Sequence, residues 1–147
     1  MNSMRTKFPK GHITTQTIGN IGLFYVCYEL SLFVWNVMPT SHNARGIDII
    51  IFIQNASRKL SIQVKTLSKR NPVPLGISLD NFVSDYVVIC VRNNPNEPVC
   101  YVMTPSEVKK LAHRGEKNGK VSYWLQPQAY EKDEYTGNWS RIGHGIP

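Results

Sequence analysis

The sequence predicts an α/β (α+β) fold in which one helix precedes a mixed central sheet with flanking helices. Three features carry this prediction. A nearly continuous apolar segment, residues 17–32, follows threonines that can cap a helix. The segment GIDIIIFI, residues 46–53, is rich in β-branched residues and is typical of a central strand buried on both faces. Further on, residues 104–107 read Thr-Pro-Ser-Glu, which is the pattern of a helix capping box.

The elements of the first half follow in chain order. The first helix is apolar on nearly every side, so we expect it to be buried rather than amphipathic. Residues 33–38 are predicted to form a strand, and a loop over residues 39–45 leads to the strand over residues 46–53. A turn over residues 54–57 then leads to a strand over residues 58–67, whose polar and apolar residues alternate.

The second half combines strands with shorter helices. Apolar runs predict strands over residues 85–91, 99–103 and 121–125. The capping box predicts a helix that ends near His113. The remaining segments are predicted to be a basic, proline-rich loop over residues 69–76, a turn over residues 93–98 and a mixed tail with a short helix within residues 130–142.

Length and charge bound the class of protein. A chain of 147 residues suits one domain with one hydrophobic core. We expect a flexible basic arm over residues 1–13 and a single domain over residues 14–147. The formal net charge of +7 favours polyanionic partners such as nucleic acid, although a basic surface also serves solubility alone.

Cysteine usage and hydropathy indicate a cytoplasmic protein without a membrane partner. No CxxC pair is present, so no zinc site is expected, and reduced core thiols are the natural interpretation of Cys27, Cys90 and Cys100. The apolar stretch over residues 22–38 contains Glu29 and ends at Pro39. A buried helix that runs into a strand explains this stretch better than a membrane span of about 20 apolar residues.

One polar set interrupts the apolar strands. If Ile53 pairs with Arg58 across the turn, the register of the hairpin places Asp48 directly opposite Gln63. Directly opposed residues point to the same face of a sheet, and Lys65 follows two residues later on that face. The hairpin therefore predicts that Asp48, Gln63 and Lys65 converge at its end.

This set of side chains has the chemistry of a metal site. A divalent cation prefers oxygen ligands, and the Asp48 carboxylate, the Gln63 amide and the Val64 carbonyl could hold Mg²⁺ or Mn²⁺. Lys65 could orient an attacking water or stabilise the charge that develops on a phosphate. The alternative is a buried Asp–Lys ion pair beside a hydrogen-bonded glutamine, with no chemistry.

These residues and their spacing resemble the PD-(D/E)XK nuclease superfamily, in its bacterial Holliday-junction-resolvase-like and restriction-endonuclease-like branch. The resemblance covers residues 15–67 well and residues 85–107 more loosely. It implies a restriction-endonuclease-like core, metal-dependent cleavage of DNA, catalytic roles for Asp48, Gln63 and Lys65, and a homodimer. The matching segments are Gly19-Asn20-Ile21-Gly22, Asn36-Val37-Met38-Pro39, Gly46-Ile47-Asp48-Ile49 and Ile62-Gln63-Val64-Lys65-Thr66.

The sequence departs from the family pattern at one position. The family places a glutamate in the first helix where this chain has Leu23. A site with Asp48 as its only carboxylate should hold a divalent cation weakly. Glu29 faces another side of the helix, whereas Asn20 lies on nearly the same side but carries no charge. The alternative function is therefore a catalytically inactive nuclease fold that binds nucleic acid or a protein partner.

Basic residues outside the hairpin are candidates for binding the phosphate backbone, or else ordinary solubilising charge. The candidates are Lys69 and Arg70 after the second hairpin strand and Lys7 and Lys10 on the arm. Further basic residues are expected on a solvated helix face and loop, and these are Lys109, Lys110, Arg114, Lys117 and Lys120.

Overall fold

The computed structural model describes residues 9, 11–41, 46–92 and 97–147. The first helix, α1, begins after Thr14, whose hydroxyl accepts a hydrogen bond of 3.1 Å from the Thr17 amide. The elements are α1 (Thr15–Leu32), β1 (Asn36–Pro39), β2 (Ile49–Phe52), β3 (Lys59–Leu67), β4 (Val73–Gly76), β5 (Tyr86–Val91), β6 (Val99–Met103), α2 (Pro105–Leu111), β7 (His113–Lys117), β8 (Lys120–Leu125), α3 (Pro127–Tyr130) and a 3₁₀ turn (Trp139–Arg141).

The strands form two sheets. The main sheet has five strands in the order β1-β2-β3-β5-β6, and β3 and β5 are parallel while the other neighbours are antiparallel. The second sheet has three antiparallel strands in the order β4-β8-β7. The predicted class, a helix followed by a mixed sheet with flanking helices, is therefore confirmed.

Each face of the main sheet has its own core. On one face α1 packs against β2, β3 and β5 through residues such as Val26, Leu30 and Ile62. On the other face the second sheet and α2 pack against β5 and β6. Strand β5 contributes alternate residues to both cores and is almost fully buried. The expectation of burial on both faces for residues 46–53 was wrong, because β2 is short and its buried residues lie on the α1 face alone.

The sequence predicted a helix α1 that is buried on nearly every side, but one side of α1 is exposed. Gly22, Val26 and Leu30 form its buried side. The outer side carries apolar residues that are about 60% exposed, which are Phe24, Tyr28 and Leu32. None of the helices in the described ranges is long and apolar enough to cross a membrane.

Two strands appear where loops were expected. The basic, proline-rich segment contains β4, and the segment after α2 forms β7. Both are edge strands of the second sheet, paired only with β8. An edge strand tolerates Pro74 and Gly115 because one side of its backbone makes no ladder bonds. The capping box of α2 is present as predicted: Glu107 and Thr104 exchange hydrogen bonds.

One glycine brings α1 close to the main sheet. A Cβ atom on Gly22 would lie 1.8 Å from Oγ1 of Thr66 in β3, so a side chain at this position would not fit without displacing Thr66 or the helix. This close approach places the N-terminal half of α1 over the C-terminal half of β3.

Candidate active site

The candidate site lies where β2 leaves β3. The two strands pair from Phe52↔Lys59 to Ile49↔Ile62, which is the register predicted for the hairpin. Strand β3 then continues to Leu67, paired with β5. The Asp48 amide donates a hydrogen bond of 2.9 Å to the carbonyl of Ile62, at the last point of contact. We call this branch point the fork.

The Asp48 carboxylate lies inside the fork. Its Oδ2 atom accepts a hydrogen bond of 2.7 Å from the Val64 amide, taking the place of a backbone partner on β2. In an extended strand the amide and carbonyl of one residue point to the same side. The Val64 carbonyl therefore also faces the fork, beside the carboxylate.

Alternation along β3 separates its side chains between the two faces of the sheet. Val64 packs against the core on the α1 side, and Thr66 meets Gly22 of α1. Gln63 and Lys65 project to the other face, where the Lys65 ammonium lies 5.9 Å from the ring centroid of Phe82. If the observed register is continued by one residue, Asp48 lies opposite Gln63.

Gln63 and Lys65 lack the partners that a purely structural cluster would supply. The Gln63 Oε1 atom is buried and has no hydrogen-bond partner among the described residues. Within the described ranges, no carboxylate lies within 4.0 Å of the Lys65 ammonium, the criterion for an ion pair. The alternative of an Asp–Lys ion pair beside a hydrogen-bonded glutamine is therefore not what these residues form. A buried polar atom without a partner costs about 1–3 kcal/mol, which a cation or water could offset.

A cavity of about 270 Å³ opens from the fork toward α1. Such a volume holds several water molecules, because each occupies about 30 Å³ of liquid. Leu23 contributes to the wall at the position where the family pattern has a glutamate. The other lining residues in the described part of the chain are Gln16, Gly19, Asn20, Asp48, Val64 and Thr66.

The oxygen donors at this site are of the type that a hard divalent cation prefers, but they carry little negative charge. Asp48 is the one carboxylate on the cavity wall described above, and the described residues contain no group of three or more His, Cys, Asp or Glu that could hold a metal ion. Asp48 and Val64 line the cavity and offer the oxygen atoms that Mg²⁺ and Mn²⁺ prefer, whereas Gln63 is not among its lining residues. Gln16 was missed in the sequence, although its spacing of four from Asn20 places both on one side of α1.

Glu29 lies away from this site. It is not among the residues that line the cavity, and it contacts Tyr25 instead. Burial, together with the hydrogen bond and negative charge of Glu29, raises the pKa of Tyr25. Glu29 is therefore a surface carboxylate of α1 with a local partner, and it does not replace the missing acid at Leu23.

The candidate phosphate-binding residues differ in their surroundings. Lys69 is exposed just after β3, at the end of the strand that extends past the fork. Arg70 is half-exposed and forms an ion pair with Glu131, so part of its charge is already balanced. Lys7 and Lys10 lie outside the described residues.

Comparison with known proteins supports the fold through structure rather than sequence. No family model matches the chain, and no curated protein matches its sequence. The structure is similar to that of a bacterial homing endonuclease, I-Ssp6803I, with a TM-score of 0.56, 14% identity, and coverage of 88% of this chain and 91% of that chain. A Holliday junction resolvase, Hjc of Archaeoglobus fulgidus, matches with a TM-score of 0.41, 18% identity, and coverage of 71% and 88%.

The first of these likenesses extends over nearly the whole of both chains, so it reflects a shared architecture rather than a common motif. In this chain that architecture consists of helix α1 followed by the mixed five-stranded sheet. This chain therefore has a restriction-endonuclease-like fold.

Proposed function

We propose that this chain is a metal-dependent nuclease-like protein that acts on DNA phosphodiester bonds at the fork. The observation that carries the proposal is the buried Gln63 amide oxygen, which has no hydrogen-bond partner among the described residues. Continuing the hairpin register by one residue pairs Gln63 with Asp48. A structural glutamine would be hydrogen-bonded at this position. A buried oxygen without a partner, on the same hairpin as a carboxylate, suits a ligand from outside the chain.

Each residue of the fork has a distinct role in this proposal. The Asp48 carboxylate, the Gln63 amide oxygen and the Val64 carbonyl would hold Mg²⁺ or Mn²⁺, which would supply Lewis-acid chemistry for hydrolysis of the phosphodiester. The Asp48 hydrogen bond to the Val64 amide fixes the carboxylate so that its second oxygen remains available.

Lys65 provides the positive charge at the reacting phosphate. Its ammonium has no carboxylate partner within the described part of the chain, so its charge is not already neutralised. The apolar ring of Phe82 lies beneath it and lowers the local dielectric, which strengthens its attraction for an anion. Lys65 therefore stabilises the negative charge that develops on the phosphate oxygens as the bond breaks.

Leu23 sets the strength of metal binding. With Asp48 as the only carboxylate on the cavity wall in the described residues, we expect activity only at high Mn²⁺ or Mg²⁺ concentration. Cleavage of both strands of a duplex by one site per chain requires two copies, so we expect the active form to be a homodimer.

The test is cleavage of plasmid DNA with millimolar Mn²⁺ or Mg²⁺. Lys65→Ala should reduce the rate by roughly 10²- to 10³-fold, because it removes one stabilising group from the transition state. Lys59→Ala is the matched control, since Lys59 is an exposed lysine at the other end of the same strand. Equal cleavage by wild type and Lys65→Ala would contradict the assignment of Lys65.

A second candidate function is supported by Leu23 in the cavity wall. The chain would then keep the fold and bind nucleic acid or a protein partner without cleaving. Leu23→Glu separates the two candidates. If the wild type is inert and Leu23→Glu cleaves DNA, the missing charge is what disables the site, and the wild type is the inactive form.

A further inference from the structure

Strands β7 and β8 form a hairpin with a two-residue turn. They pair from His113↔Trp124 to Lys117↔Lys120, and Asn118 and Gly119 make the turn with φ angles of 53° and 75°. Positive φ at both positions is the signature of a type I′ turn, which suits the twist of a tight hairpin. The basic residues expected on a solvated loop thus lie on a regular two-stranded ribbon.

The two faces of this ribbon differ in charge. The inner face carries Tyr123, which packs against the core, and Leu125, which is fully buried. Nearer the turn, the inner face carries Arg114 and Glu116, which form an ion pair of 3.4 Å. Alternation assigns the other face the residues His113, Gly115, Lys117, Lys120, Ser122 and Trp124.

The outer face carries positive charge at its tip and small residues in its middle. Lys117 and Lys120 are exposed at the tip, and no acidic residue shares their face within the ribbon. The Trp124 ring covers Gly115, and it would lie 2.4 Å from a Cβ atom at this position, so the site has no room for a side chain. Ser122 opposite Gly115 is small and exposed. Beyond this flat stretch, the His113 ring packs against the Trp124 ring at a centroid distance of 4.6 Å, with the ring planes tilted by 43°.

The second sheet places this ribbon on the same side of the main sheet as Lys65. Val73 and Leu125 of the second sheet share a core with Val87 and Ile89 of β5. Val87 and Ile89 are the register partners of Gln63 and Lys65. The ribbon and the lysine of the fork therefore face the same half of the molecule.

We propose that the β7–β8 ribbon enters the major groove of duplex DNA, with Lys117 and Lys120 on the phosphates. This proposal rests on the proposed function, because the ribbon would bind the DNA that the fork would cut. The major groove is about 12 Å wide and admits a two-stranded ribbon, whose strands lie about 4.8 Å apart. The formal net charge of +7 and the acid-free outer face of the ribbon complement the phosphate backbone.

The experiment measures binding of a labelled DNA duplex in EDTA, so that cleavage plays no part. Lys117→Ala/Lys120→Ala should weaken binding roughly tenfold, if each phosphate contact contributes as much as a good surface ion pair. It should also reduce the slope of log K against log salt by about two, one for each lost phosphate contact. The control, Lys59→Ala/Lys132→Ala, removes the same charge at exposed sites outside the ribbon and should leave the slope nearly unchanged.

Competition with duplex RNA tests whether the ribbon enters the major groove. The major groove of A-form RNA is too deep and narrow for side chains to read, so RNA of the same sequence should compete poorly. Equal competition by RNA would overturn groove insertion, as would equal binding by the two double variants. If the ribbon variant binds normally while Lys65→Ala fails to cleave, the ribbon assignment is wrong and the proposed function stands. If the wild type binds no duplex at low salt, both are wrong.

Discussion

Two partly buried carboxylates in this molecule have very different surroundings. Glu107, at the start of α2, receives two hydrogen bonds from Arg141, of 2.9 and 2.8 Å, and a third of 2.8 Å from the Thr104 amide. Asp48, at the fork, receives its side-chain hydrogen bond from Val64. On β3, the buried Gln63 Oε1 atom has no hydrogen-bond partner among the described residues.

The contrast separates a structural site from an open one. Burial raises the pKa of Glu107, but the hydrogen bonds from Arg141 and Thr104 outweigh burial and hold that pKa below its ordinary value. Every group of this cluster is used within the fold, including Arg141, which also donates to the carbonyl of Val102. At the fork, the Gln63 oxygen and the Lys65 ammonium are available to a ligand. Leaving these groups without partners lowers stability, and a binding function would explain why the chain keeps them.

The largest change in stability is expected from breaking the structural cluster. Arg141→Ala leaves Glu107 without its main partner and the Val102 carbonyl without a donor. Since both side chains of the pair are about one-quarter exposed, we expect a loss of about 2 kcal/mol in the free energy of unfolding rather than the larger cost of a fully buried pair. Urea denaturation measures this loss.

The exposed ion pair of the ribbon is the control for that variant. Arg114 and Glu116 are each more than half exposed, so Arg114→Ala should change the free energy of unfolding by less than about 0.5 kcal/mol. Equal losses for Arg141→Ala and Arg114→Ala would show that the α2 cluster is no more structural than a surface pair.

The fork should respond in the opposite direction. Gln63→Leu removes a buried oxygen without a partner, so the free energy of unfolding should rise by about 1 kcal/mol. The same substitution should abolish metal binding and cleavage. Gln128→Leu, at an exposed glutamine of α3, is the matched control and should change stability by less than about 0.5 kcal/mol. A loss of stability in Gln63→Leu would mean that the amide is satisfied in the folded chain.

The smallest effect is a pH dependence of the structural cluster. Because the folded pKa of Glu107 lies below its ordinary value of 4.5, its stabilising contribution is complete above about pH 4.5 and is lost as pH falls through the folded pKa. The melting temperatures of wild type and Glu107→Gln should therefore converge as pH falls from 5 to 3. A constant difference across this range would contradict the lowered pKa.

Local patterns in the sequence were sufficient to predict the hairpin and the capping box. The turn over residues 54–57 fixes the register of β2 and β3, and Thr104 and Glu107 are only three residues apart. The same reasoning brought Asp48 and Gln63 to one hairpin. These features depend on neighbours in the chain, which a single sequence displays.

Features that depend on distant partners were not predicted. Strands β4 and β7 exist because β8 pairs with both, and neither Pro74 nor Gly115 suggests a strand on its own. The exposed side of α1 could not be told from its buried side, because both are apolar. That the Gln63 Oε1 atom has no hydrogen-bond partner among the described residues is a property of the packed chain, so no sequence pattern could have indicated it.

The most direct test is a crystal structure of the wild type soaked in millimolar Mn²⁺, with the metal located by its anomalous scattering. The account predicts a peak at the fork, about 2.0–2.3 Å from oxygen atoms of Asp48, Gln63 and Val64, and higher occupancy in Leu23→Glu. Well-ordered forks without a peak in both proteins would contradict the account, because the open oxygen of Gln63 would then serve no metal.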